Sequence, residues 1–252
     1  MSFRKEILAE GVEVYLGDCR EVLPSIRADH VIGDPPYEKE AHRKDRRVTR
    51  RDGLVAGALS FDAIATDERL EVSRLSAAAC DGWMIFFCQA EGVAPWRDAI
   101  ELAGAKYKAP MVWIKPDGMP QFNGQGPGMG FESIVAAWAG RGHSRWNGGG
   151  SHGVFVFPKG EGVAPVHETQ KPVRLMGRLV SLFTMQGETV CDPFMGSATT
   201  GVACIRAGRK FIGIEKDERY FDVACKRLSA TLNQPDMFLE AKQKPKQEDI
   251  FA

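Results

Sequence analysis

The sequence lacks any apolar run approaching the ~18–20 residues that a membrane-spanning helix needs; its longest candidates are Trp83–Cys88 and Ile134–Ala139. The first ten residues, MSFRKEILAE, mix charges of both signs and hold no continuous apolar stretch of the secretory kind. A cytoplasmic chain with no membrane partner is expected. The six cysteines (Cys19, Cys80, Cys88, Cys191, Cys204, Cys225) form no CxxC pair and no Cys/His cluster at zinc-ligand spacing, so they read as reduced core thiols and no metal is expected. Net charge is also missing, 33 Lys+Arg balancing 33 Asp+Glu. With 27 glycines, 14 prolines and 44% hydrophobic residues, the composition excludes low-complexity and disordered classes. What remains is a globular chain of 252 residues, long enough for one large domain or two small ones.

The balanced charge is unevenly spread. Lys39, Arg43, Lys44, Arg46, Arg47, Arg50 and Arg51 face only Glu40 and Asp45 in the same stretch, so 38–60 reads as a basic loop or mobile helix. Before it the periodicity predicts a strand at Val12–Leu16, a helix near Arg20–Ile26 and a strand at His30–Gly33. After it come a helix over Asp67–Cys80, strands at Trp83–Cys88 and Met111–Lys115, and between them a helix over Pro95–Ala103. Residues 116–165 are rich in glycine and look least core-like, interrupted by strands at Ser133–Trp138 and Val154–Phe157. Alternation then returns: helix Pro172–Phe183, strand Thr189–Cys191, helix Thr199–Ala207, strand Phe211–Glu215 and helix Glu218–Ala230, with a polar tail after Asn233. Strands separated by helices predict a doubly wound α/β domain with a parallel sheet.

Two constellations carry chemistry. Asp34-Pro35-Pro36-Tyr37 ends a predicted strand, where open α/β sheets place ligands. It offers a carboxylate, a rigid carbonyl and an aromatic face, which suit a planar group bearing an NH₂. The second is Asp192-Pro193-Phe194-Met195-Gly196-Ser197-Ala198, a small-residue turn from strand to helix, followed by Glu215 at the tip of the next strand. Such an acid accepts hydrogen bonds from ribose hydroxyls. The turn is not GxGxxG, and Asp192 would repel a pyrophosphate, so the pattern favours a nucleoside ligand with a cationic or zwitterionic end over a dinucleotide. Weaker alone are Asp18-Cys19, a carboxylate and an amide for an adenine edge, and Lys171, a charge for a ligand carboxylate.

At these residues the chain resembles the amino-group DNA methyltransferases that use S-adenosylmethionine. Asp34–Tyr37 looks like their catalytic motif and Asp192–Gly201 like their cofactor loop. The catalytic motif precedes the cofactor loop, which is similar to the circularly permuted β subgroup. His167–Pro172 resembles the H-P-T-Q-K-P stretch of that subgroup, with Glu168 in place of the proline, and Ala198 stands where F-x-G-x-G has its second glycine. The resemblance implies a single, permuted Rossmann-like methyltransferase domain over 1–252 with a target-recognition insertion at 116–165. It implies a cofactor site made by Asp18, Cys19, Asp34, Thr169, Lys171, Asp192, Pro193, Phe194, Gly196, Ser197, Ala198, Glu215 and Lys216.

It further implies methyl transfer to a flipped base in double-stranded DNA, with Asp34 and the Pro35 carbonyl accepting the amine N–H bonds and Tyr37 stacking. Aspartate as the motif's first residue points to N6 of adenine, with N4 of cytosine as the alternative. An RNA or protein-amide methyltransferase is a further alternative, though there the cofactor loop would come first. No Pro-Cys dipeptide occurs, which disfavours carbon-5 chemistry by a cysteine nucleophile. The basic loop would meet DNA phosphates, and Asn123, Gln125, Arg141, His143, Arg145 and Asn147 are of base-reading type. Homodimer formation stays open, and any restriction nuclease would be a separate chain.

Overall fold

A computed structural model of the protein describes residues 3–37, 48–49, 55–56, 64–118, 125–160 and 170–234. Lys39, Arg43, Lys44, Arg46, Arg47, Arg50, Arg51, Asn123, His167, Glu168, Thr169 and the tail lie outside them.

The elements follow in the order β1 (Arg4–Ala9), β2 (Val12–Leu16), α1 (Cys19–Val22), β3 (His30–Gly33), β4 (Val48–Thr49), β5 (Val55–Ala56), α2 (Thr66–Ala79), β6 (Trp83–Cys88), α3 (Val93–Leu102), β7 (Lys106–Ile114), β8 (Phe131–Trp138), β9 (Val154–Val156), α4 (Val173–Phe183), β10 (Thr189–Asp192), α5 (Thr199–Arg206), β11 (Lys210–Glu215) and α6 (Glu218–Leu232). Nine strands form one sheet in the order β1-β2-β11-β10-β3-β6-β8-β7-β9, and β4 pairs with β5 apart from it. The strands from β2 to β6 in that order are parallel. β1 and β8 run against their neighbours, and so does β7 against β8. The sheet is therefore mixed, which corrects the expectation of a parallel one; only its centre is doubly wound.

Helices cover both faces. α4, α5 and α6 pack over Ile32, Ile85, Phe87, Val190 and Phe211, while α1, α2 and α3 cover Val31, Met84, Phe86, Cys191 and Ile212. Neighbouring residues of one strand thus enter opposite layers, as the period of two requires. β6 lies fully buried, its unbroken apolar run matching a strand covered on both sides. α4 buries Leu175, Met176, Leu179, Val180, Leu182 and Phe183, a helical stripe. All six cysteines are free and five are buried; burial pushes the Cys19 and Cys80 thiols up to about 12.

Three further differences from expectation have physical causes. β1, exposed over Arg4–Ile7, is held by its pairing with β2, and only Leu8 and Ala9 at its end pack against the core. The helix near Arg20 is one turn, Cys19–Val22, passing at Pro24 into a 3₁₀ turn at Leu23–Ser25. The 116–165 region contributes β8, whose Ile134, Val135 and Ala137 are among the most buried residues. Because β8 is antiparallel, Trp138 sits opposite Trp83 at the end where the parallel strands begin. The β8–β9 connection is anchored there: Ala139 N donates to Gly82 O at 2.8 Å, and Asn147 N to Leu182 O at 3.0 Å.

Candidate active site

The carboxyl ends of β2, β11, β10 and β3 are consecutive in the sheet and present Asp18, Glu215, Asp192 and Asp34 side by side. Chain order reverses between β10 and β3, the switch point at which open α/β sheets hold ligands. Gly33 lets β3 approach the turn after β10: a Cβ there would stand 3.2 Å from Pro193 Cδ and 3.4 Å from Asp192 Oδ1.

After β3, Asp34 and Tyr37 enter a charged cluster. Lys171 Nζ donates to Asp34 Oδ2 at 2.5 Å and stands 3.3 Å from Glu132 Oε2. Tyr37 OH donates to Glu132 Oε2 at 2.5 Å, and Lys115 Nζ is paired with Glu132 Oε1. The Lys171 ammonium also lies 5.1 Å from the centre of the Tyr37 ring and 5.0 Å from that of Phe87, within cation–π range. Burial raises the Asp34 carboxyl, with Glu132 adding to the rise against Lys171. Burial alone would also raise Glu132, but the charges of Lys171 and Lys115 outweigh it and hold that carboxyl at about 2. Burial opposes the charge on Lys171, and the two carboxylates overcome it and raise its pKa. Asp34 Oδ1 is buried and has no hydrogen-bond partner among the described residues.

The loop after β10 is built around a second buried acid. Asp192 accepts from Phe194 N at 3.0 Å and from Thr200 Oγ1 at 2.5 Å; burial nevertheless pushes its carboxyl up to about 7. Its oxygens therefore shape the loop. Glu215 accepts from Gly196 N and Asp217 N, each at 2.9 Å, so the tip of β11 is tied to the same loop. Ser197 and Ala198 are buried, and Ala198 adopts φ 60°, ψ 40° ahead of α5. Arg227 of α6 reaches Ser197 O at 2.9 Å and Thr199 Oγ1 at 3.0 Å, one residue to each side of Ala198. Asp18 caps α1 through Arg20 N and pairs with the Arg20 guanidinium at 2.6 Å, which lowers its pKa. Lys216 is exposed and Cys19 buried.

The structure thus brings Asp34, Tyr37 and Lys171 into one cluster, and Asp192, Pro193, Phe194, Gly196 and Glu215 into the adjoining loop and strand tips. Lys171 pairs with Asp34 and Glu132. Glu132, Lys115, Thr200 and Arg227 were not foreseen. The one signal for Glu132 was an acid inside the apolar run FESIVAAW. Of the base-reading candidates, Asn147 Nδ2 donates to Ser181 O and Thr184 O, and Arg145 pairs with Glu188. With Arg141 and His143 they sit at the far end of the sheet from Asp34.

Residues 137–226 match the family model described as DNA methylase. The type II methyltransferase M2.DpnII of Streptococcus pneumoniae is 48% identical over 64 residues, 25% of this chain and 24% of that protein. The chain thus spans about a quarter of the curated relatives it matches. Among solved structures, the M1.HpyAVI–SAM complex is similar with a TM-score of 0.67 at 26% identity, over 85% of this chain and 98% of that one. PvuII DNA methyltransferase, titled cytosine-N4-specific, gives a TM-score of 0.64 at 17% identity over 91% and 88%. The matched segment is thus similar to the DNA methylase family, and the chain shares the fold of M1.HpyAVI.

Proposed function

We propose that the chain transfers a methyl group from S-adenosylmethionine to the N6 amine of a flipped adenine in double-stranded DNA. The observation that carries this reading is the buried Asp34 Oδ1 at the end of β3, unpartnered among the described residues and beside the strand tips bearing Asp192 and Glu215. A buried acceptor of this kind calls for a donor, and an exocyclic amine supplies one. Asp34 Oδ1 and the Pro35 carbonyl accept the two N–H bonds, hold the nitrogen in place and stabilise the positive charge it develops. Tyr37, tethered through its hydroxyl, offers its ring to the base.

The residues present fit the cofactor. Glu215 at its strand tip suits the ribose hydroxyls, Asp18 and Cys19 an adenine edge, and the Phe194–Ala198 loop with buried Asp192 the zwitterionic end; Thr169 joins them as an expectation from sequence. When bound, S-adenosylmethionine supplies an electrophilic methyl on sulfur. Aspartate at position 34 favours adenine over cytosine, and the order of Asp34 before Asp192 fits the permuted β subgroup. The basic stretch 38–60 supplies phosphate contacts, and the glycine-rich segment 116–165, outside its far-end residues 139–147, supplies readout.

Incubating the protein with unmethylated plasmid DNA and labelled S-adenosylmethionine, then identifying nucleosides by mass spectrometry, tests the proposal. N6-methyladenine is the expected product. N4-methylcytosine would overturn the choice of base, and unlabelled DNA the whole reading. Asp34→Ala should lower turnover at least ~100-fold while cofactor and DNA binding stay within about tenfold.

A further inference from the structure

We infer that Glu132 is a positioning residue of this site: it balances Lys171 and Lys115, so that Asp34 keeps its negative field for the substrate amine. The inference rests on the methyl-transfer reading above.

Glu132 is the second residue of β8, opposite Trp113 of β7. Its carboxylate gathers partners from three separate parts of the chain: Lys115 just past β7, Tyr37 after β3, and Lys171 ahead of α4. The cluster holds two carboxylates and two ammonium groups, so its formal charge is zero. Glu132 and Lys171 are both largely buried, with side chains 14% and 8% exposed, and in such surroundings an unbalanced charge acts strongly on its neighbours. Without Glu132, Lys171, already 2.5 Å from Oδ2, would face Asp34 alone, and Lys115 would lose its carboxylate partner. An uncompensated cation would then stand beside a nitrogen that becomes positive as the methyl arrives, and Asp34 would be a weaker acceptor. Glu132 need not touch the substrate; it acts through Lys171 on Asp34.

Glu132→Gln separates this electrostatic role from simple support, because its amide oxygen can still accept the Tyr37 hydroxyl. Turnover should fall about 10–100-fold, with KM for DNA and Kd for S-adenosylmethionine within about threefold. The acidic limb of the kcat–pH profile should move to lower pH, since removing a negative neighbour favours ionised Asp34. That limb belongs to the coupled cluster, whose charged and titratable members are Asp34, Tyr37, Lys115, Glu132 and Lys171, with Asp192 adjoining. Lys115→Met combined with Glu132→Gln restores neutrality and should recover most of the lost turnover. Lys115→Met alone should shift the limb the opposite way, to higher pH, a measurement that holds even if Glu132→Gln fails to fold.

Wild-type turnover in a folded Glu132→Gln, equal impairment of the single and double variants, or an unmoved limb in Lys115→Met would each overturn the inference. Asp34→Ala, assayed alongside, keeps the two levels apart. If it retains turnover, the catalytic reading fails. If it loses turnover while Glu132→Gln does not, only the role of Glu132 fails.

Discussion

Ala198 is the one non-glycine residue at positive φ among the described residues. A side chain in this left-handed region costs about 1–2 kcal/mol, and the neighbours hold it there: Arg227 grips Ser197 and Thr199, and the methyl is fully buried. Glycine would relieve that strain. It would also add roughly 0.4–1 kcal/mol of unfolded-chain entropy and forfeit about 0.8 kcal/mol of methyl burial. Ala198→Gly should therefore leave stability within about 1 kcal/mol of wild type in urea unfolding. Ala198→Val, branched at Cβ with no room to spare, should lose at least ~2 kcal/mol. The sequence reading located this turn because small residues cluster in it. It missed Glu132 because an acid in a strand is unremarkable until Lys115, Tyr37 and Lys171, dispersed in sequence, converge on it.

At the level of elements, the starts of three central strands are joined by His30. Its Nδ1 accepts from Trp83 N at 2.9 Å, and its Nε2 meets Glu188 Oε2, just before β10, at 2.7 Å. Gly82 makes this approach possible, since a Cβ there would lie 2.4 Å from His30 Nδ1. A proton on Nδ1 would strip Trp83 N–H of its acceptor. Burial lowers the His30 pKa against the pull of Glu188, so the unfolded chain takes up its proton first. The contribution is fully present above the unfolded value of ~6.5 and declines as pH falls from there towards the folded pKa. The thermal midpoint should drop between pH 7.5 and 5.5, roughly the span around that unfolded value, and His30→Gln should flatten that slope; an equal slope in the variant would exclude His30 as its source. Strands of this inner layer were legible because unbroken apolar runs such as Trp83–Cys88 can only be covered on both faces. β1 was not, because Arg4, Lys5 and Glu6 look like surface and the strand exists through its register with β2.

The whole molecule has two unlike ends. β8 spans eight residues, roughly 25 Å at the usual rise of a strand, and its reversal carries the chain from the Glu132 cluster to the opposite edge. Exposed Arg141 and His143 are therefore remote from the chemistry. Replacing both with alanine should leave the methylated sites and the rate unchanged. Neutralising Arg46, Arg47, Arg50 and Arg51 should weaken binding to all DNA sequences and reduce the salt slope by roughly 0.9 per lost phosphate contact. Salt-dependent binding assays compare the two sets, and an unaltered slope in the second would return that loop to plain surface. Motif order and strand tips could be read from sequence because each motif is contiguous. Which turn faces which end could not, because that depends on one strand's direction.

The anchored connection at the far end also gives the molecule a handle. Gly142, at φ 74° in an exposed turn, is followed by Trp146 packed on Phe183 and by Asn147 bonded to the end of α4. The turn is thus an exposed tip on an anchored stem. A fluorophore, a tether to a bead or a small inserted domain carried at 141–143 would ride on the sheet while the opposite end, which bears Asp34, stayed clear.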